Sequence, residues 1–244
     1  MASCVRSLAV PNATGIDLIA VGSCVLLWHR GNRYLVTASH VLDIYPGHAI
    51  YLGTNTAWVE IPGPFRQTTS SKGRADAMDF AFAPVSEESA SKLDGCHFLT
   101  GDQISPDERV IFTPPYRSKY TAFGFPLNRF DMSYPTRTSY PKNIAATATV
   151  GSREQYSALG LSVDGHIVLE FDQDAVVGPK GPQSSPKLDG ISGGGVFRMP
   201  ALETVGSAEP PLLAGVIIEQ DRKERLLVAV RLGVILAAIN SISP

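Results

Sequence analysis

The sequence predicts an all-β chain of 244 residues, folded as two antiparallel β-barrels and closed by a short C-terminal helix. Three observations predict it. Turn formers abound, with 22 glycines and 18 prolines, while charged side chains make up only 18%; that balance suits short strands better than helix bundles. Short apolar, partly β-branched runs recur along the whole chain between polar turns. Hydrophobic residues reach 44%, enough to fill one large core or two modest ones.

Strands are read at residues 16–21 and 23–28, then at 34–37 after a Gly31-Asn32 turn, whose residues both tolerate positive φ. Further strands are read at 49–52, 57–61, 80–83, 110–113, 121–125, 144–150, 166–171, 195–198, 212–218 and 225–230. The apolar spacing of Val234, Leu236 and Ile239 places a short helix over 233–239. Long polar loops at 62–77, 126–142 and 173–191 interrupt the pattern, and loops of that length are as a rule functional or disordered. The halves divide between residues 93 and 107, giving an N-terminal barrel over 1–100 and a C-terminal barrel over 101–244.

Composition excludes several function classes. The net charge is −2, without blocks of like charge, so nucleic acid is not an expected partner. Cys4, Cys24 and Cys96 are odd in number, scattered and free of CxxC spacing, which argues against a disulfide framework and against zinc. The N-terminus lacks the apolar core of a signal peptide. The longest apolar stretch, residues 18–28, is broken by Gly22-Ser23 and too short to cross a bilayer. A cytoplasmic protein with no membrane partner is expected. Asn12-Ala13-Thr14 fits a glycosylation acceptor, which would matter only after secretion.

Three motifs carry chemistry. In Thr37-Ala38-Ser39-His40 an apolar strand ends in small residues and then an imidazole, a group suited to general-base work near neutral pH. The bland alternative is a histidine capping a strand end. In Asp76-Ala77-Met78-Asp79-Phe80 a carboxylate immediately precedes an alternating strand, where it can orient a histidine; Asp79 is preferred to Asp76 as nearer the strand. In Asp189-Gly190-Ile191-Ser192-Gly193-Gly194 a serine is framed by glycines ahead of an apolar strand. Glycines let main-chain N–H groups approach a substrate carbonyl closely, and the amides of Gly190 and Ser192 are the expected oxyanion donors. One such donor is worth about 2.7 to 4 kcal/mol of barrier. A phosphate loop is disfavoured, since no lysine follows in a Walker pattern. The order His, Asp, Ser leaves room for strands between the members and separates this chain from α/β-hydrolase esterases and acyltransferases.

On these motifs the sequence resembles the trypsin-like serine peptidases. Leu213-Ala214-Gly215-Val216-Ile217-Ile218 is similar to their substrate-binding strand, and Tyr120-Thr121-Ala122-Phe123-Gly124-Phe125-Pro126 to a segment of bacterial, HtrA-like members. The resemblance spans roughly residues 16–239. It implies two six-stranded, chymotrypsin-like barrels with His40, Asp79 and Ser192 meeting in the cleft between them, and an endopeptidase reaction that needs no cofactor and no metal. It implies a substrate pocket walled by Pro186, Lys187, Leu188 and Asp189 on one side and by Ile217, Ile218, Glu219 and Gln220 on the other. The floor carries no acidic residue of the trypsin kind, which favours an apolar or small side chain before the scissile bond, with Glu219 or Asp189 at the rim as the route to a basic one.

The sequence departs from the digestive members at Ile191, where they carry an aspartate that pairs with a new N-terminus after zymogen cleavage. Another trigger, either a partner protein or the 173–191 loop, is therefore expected to order the oxyanion loop. The expected partners are a protein or peptide substrate and an activating or inhibiting protein. Intracellular relatives of this kind resemble bacterial regulatory or defence effectors. The alternative reading is a catalytically idle barrel that serves as a protein-binding module.

Overall fold

The computed structural model describes the chain except for residues 1–2, 16, 44–45, 69–77, 108, 115–116, 128–129, 134–137, 172–175, 179–180, 184–187, 201–209, 222 and 243–244. The first half forms strands β1 (Val5–Pro11), β2 (Leu18–His29) and β3 (Asn32–Thr37), helix α1 (Ser39–Asp43), and strands β4 (Ile50–Gly53), β5 (Trp58–Ile61), β6 (Arg66–Gln67) and β7 (Ala81–Pro84). They pair antiparallel in one sheet of order β5-β4-β1-β2-β3-β7-β6.

After helix α2 (Glu87–Ser91) come β8 (Lys119–Gly124), β9 (Phe130–Ser133), β10 (Thr138–Pro141), β11 (Ile144–Val150), α3 (Arg153–Ala158), β12 (His166–Glu170), β13 (Val176–Gly178) and β14 (Gly181–Gln183). Strands β15 (Gly195–Arg198), β16 (Leu212–Asp221) and β17 (Leu226–Arg231) and helix α4 (Leu232–Ile242) complete the chain. Six of these strands close a barrel of order β11-β12-β17-β16-β15-β8, while β9-β10 and β13-β14 pair as separate ribbons.

Periodicity explains the elements. Along β11, buried and outward positions alternate through Ile144-Ala145-Ala146-Thr147-Ala148-Thr149-Val150, the period of a sheet with one face inward. The β2–β3 hairpin sets His29 opposite Asn32, so its two-residue loop is Arg30-Gly31, with φ of 48° and 78°. Positive φ at both central residues marks a type I′ turn. The loop is therefore one residue earlier than the predicted Gly31-Asn32. The structure also joins the two predicted strands at 16–21 and 23–28 into the single β2.

The all-β class and the closing helix stand as read, although the first sheet has seven strands and only the second closes into a barrel. Strand β1 was not anticipated, because Arg6 and Ser7 break its alternation; both are nonetheless buried. Residues 110–113 are not a strand, and Ile111 is 50% exposed. One apolar cluster fills the first sheet and runs on through Phe197, Val216 and Val230 to Ile235, Leu236 and Ile239 of α4. A second fills the closed barrel around Tyr120, Tyr156, Ile167 and Leu169. Among the described residues no helix is long and apolar enough to cross a membrane.

Candidate active site

Register brings the first two residues together. Strand β3 pairs with β7 so that Thr37 lies opposite Ala81. The same register carried two residues further puts Ser39 opposite Asp79, and the Ser39 N–H donates to the Asp79 carbonyl at 3.3 Å. Thr37, Ala38 and Ser39 are fully buried, so the chain turns from β3 into α1 inside the protein, where only small side chains fit. His40 then emerges on α1. Its backbone N–H donates to Asp79 Oδ1 at 2.9 Å, and its ring Nδ1 lies 2.5 Å from Asp79 Oδ2. Both carboxylate oxygens are thus engaged by one residue, which fixes the ring plane. A neutral ring that donates through Nδ1 keeps a lone pair on Nε2. The His40 side chain is 42% exposed against 20% for Asp79, so that second nitrogen remains reachable. Asp76, the alternative carboxylate, lies outside the described residues.

The serine sits in a tight, fully tethered turn. Ile191 N–H donates to Leu188 O at 2.9 Å, and Gly190 has φ of +89°. A bond from the fourth residue to the first, with glycine at positive φ in the third place, defines a type II turn. Each peptide that follows is pinned. The Asp189 carbonyl accepts from Leu127 N–H at 2.6 Å, the Ile191 carbonyl from Gly194 N–H at 2.8 Å, and the Ser192 carbonyl from Ser23 N–H at 2.8 Å. The Gly190 carbonyl accepts from Ser23 Oγ at 3.0 Å. Gly193, at φ +84°, donates to Ile217 O at 2.7 Å, and a Cβ there would sit 1.9 Å from the Ser23 carbonyl. No main-chain carbonyl among the described residues accepts from Gly190 N–H or Ser192 N–H. Two neighbouring amides left in this way make an anion-binding pair.

His40, Asp79, Gly190 and Ser192 line one cavity of about 530 Å³. Ser192 Oγ and His40 Nε2 share no direct hydrogen bond in the structure, and such contacts commonly tighten only once substrate is bound. Leu188, Asp189, Ile218 and Glu219 line the same cavity. Ile217, expected beside them, does not. It is fully buried, and its side chain belongs to the core of the closed barrel, opposite in face to its neighbours Val216 and Ile218; the register shift of β16 between Ile217 and Glu219 then leaves Glu219 beside Ile218 at the cavity. Pro186 and Lys187 lie outside the described residues. The cavity also takes in Gln220, from the same strand as Ile218 and Glu219, and Val21 and Leu127, which the motifs do not mark. Val21 was legible only as part of an apolar run, and Leu127 only as the residue after Phe125-Pro126.

Ile191, where the digestive enzymes carry aspartate, is 1% exposed and packs in the core of the closed barrel. No cysteine lines the cavity. Burial pushes the thiols of Cys4, Cys24 and Cys96 up, Cys24 most strongly, which disfavours thiolate chemistry.

No protein-family model matches the sequence, and a search of curated proteins finds no match. Among solved structures the chain is similar to neuropsin, a serine protease expressed in the limbic system of mouse brain, at a TM-score of 0.58 and 14% identity, covering 98% of this chain and 94% of that one. The likeness establishes the fold of trypsin-like serine proteases. It gives no support to an HtrA-like subtype.

Proposed function

We infer that the protein is a serine endopeptidase in which His40 takes the proton of Ser192 as its oxygen attacks a peptide carbonyl. Asp79 orients the ring and stabilises the imidazolium. The carbonyl oxygen, negative in the tetrahedral intermediate, is received by the Gly190 and Ser192 amides. His40 then protonates the leaving amine, and water cleaves the acyl-enzyme by the same route in reverse. The observation that carries this reading is the coexistence in one cavity of a carboxylate-oriented imidazole and a serine beside two main-chain amides without acceptors among the described residues.

In this reading the first 100 residues supply the base and residues 101–244 the nucleophile and pocket. The apolar lining from Leu188 and Ile218 favours an apolar or small side chain before the scissile bond. A cytoplasmic setting, kinship with HtrA-like bacterial proteases, a role in defence and control by a protein partner belong to the same proposal, on the Tyr120–Pro126 segment and the Ile191 replacement. Labelling with a fluorophosphonate probe tests it. Wild type is expected to label, and Ser192→Ala and His40→Ala are not. Labelling that survives Ser192→Ala would remove the assignment.

A further inference from the structure

Ser23 on β2 does not line the cavity, yet its N–H and its hydroxyl both hold residues around Ser192. Its side chain is fully buried. Its N–H donates to the Ser192 carbonyl at 2.8 Å. Its hydroxyl accepts from Phe125 N–H at 2.9 Å and donates to the Gly190 carbonyl at 3.0 Å. Its carbonyl accepts from Thr37 Oγ1 at 2.7 Å, at the foot of the strand that leads to His40. One residue of the first sheet therefore grips the nucleophile turn on both sides of Ile191 and ties it to the strand that carries the base.

The grip has a geometric consequence. In a type II turn the central peptide, Asp189–Gly190, is turned over relative to a type I turn, and that orientation decides where Gly190 N–H points. The peptide is planar and trans, so its N–H lies opposite its carbonyl. Leu127 N–H takes the carbonyl, and the N–H is left on the other side. The next peptide, Gly190–Ile191, is held by Ser23 Oγ at its carbonyl and by Leu188 O at its N–H. Releasing the hydroxyl removes one of the three bonds that hold the peptides on either side of Gly190, whose φ is +89°.

We propose that Ser23 is a positioning residue for the oxyanion turn, its hydroxyl holding the Gly190 carbonyl so that the turn is set within the single chain, in the role that an N-terminal ion pair plays in the digestive enzymes. The inference rests on the serine-peptidase reading. It also moves any control by a partner away from ordering this turn, contrary to the expectation drawn from the sequence.

The test compares wild type with Ser23→Ala by the saturation kinetics of fluorophosphonate labelling, by thermal unfolding and by crystal structures of both. In Ser23→Ala the maximal labelling rate is expected to fall about tenfold or more, with the half-saturating concentration within about twofold, and the Asp189–Gly190 peptide to turn over or adopt two orientations. An unchanged maximal rate with an unchanged turn overturns the proposal. So does a loss confined to half-saturation or to unfolding temperature. Should Ser23→Ala fail to fold, Ser23→Cys, which keeps a weakly polar atom at the site, is read by the same criteria. If wild type does not label, the endopeptidase reading fails by itself. The crystal structures then decide the latch, which stands if the alanine variant loses the type II turn and falls if it keeps it.

Discussion

The two halves of the cleft are built from different materials. On the first sheet, position is encoded in side chains: Asp79 grips His40 through both carboxylate oxygens, at 2.9 and 2.5 Å. On the closed barrel, position is encoded in the main chain. The turn from Leu188 to Gly194 is held by bonds to its peptide groups, and the side chain between them, Ile191, serves the core instead. A side-chain device fails when one functional group is exchanged. A main-chain device is indifferent to most exchanges, and fails when the backbone is strained or its burial partner becomes polar.

Asp79→Asn should separate the two most sharply. The amide cannot hold the ring in the same tautomer, and kcat/KM is expected to fall by about four orders of magnitude, while thermal unfolding stays near that of wild type. A large loss of stability instead would make Asp79 part of the framework rather than of the chemistry. Ile191→Asp restores the residue of the digestive enzymes but buries a carboxylate in the apolar core of the barrel. It should cost about 3 to 5 kcal/mol, read as a fall in Tm of about 2 to 4 °C per kcal/mol for a chain of this size. If the variant is as stable as wild type, the carboxylate has found a partner, and burial of an apolar side chain at 191 is not what anchors the turn.

Thr37→Val removes the hydroxyl that the buried Ser23 carbonyl accepts. A loss of about 1 to 3 kcal/mol is expected, measurable by urea unfolding, and no change would mean that the carbonyl is satisfied in another way. The smallest effect concerns thiol chemistry next to the latch. Burial raises the Cys24 thiol, with Cys96 adding to the shift, so its thiolate fraction at neutral pH is suppressed and climbs only in strong alkali. Iodoacetamide should leave Cys24 unmodified in the folded protein and react after denaturation, as mass spectrometry of the peptides would report. Rapid modification of Cys24 in the native state would show that β2 opens.

The sequence made much of the site legible because the chemistry confines itself to short motifs. Thr37-Ala38-Ser39-His40 and Gly190-Ile191-Ser192-Gly193-Gly194 announce small residues where space is scarce, and any side chain at Gly193 would collide with the Ser23 carbonyl. Strand β11, with its strict alternation, and the short apolar β15 appear with the bounds read for them. Strand β1 was hidden, since its Arg6 is buried by pairing with Asn55 and the Gly95 carbonyl, partners far away in the chain. Ser23 was hidden for a similar reason. A serine inside an apolar run reads as an interruption until its partners at 125, 190 and 192 are known. That Ile218 and Glu219, neighbours in the chain, both reach the cavity depends on a register shift that no composition reveals.

Helix α4 follows the last strand of the closed barrel, yet Ile235, Leu236 and Ile239 lie in the apolar cluster of the first sheet, and Asn240 meets His29 at 2.8 Å. The chain thus crosses the gap twice, once in its middle and once near residue 240, like a book with both a spine and a clasp. A clasped pair is expected to resist hinge opening, which gives the seating of α4 a part in holding the imidazole and the hydroxyl on facing walls. Loosening that seat would widen the scatter of the gap without altering a single group inside it.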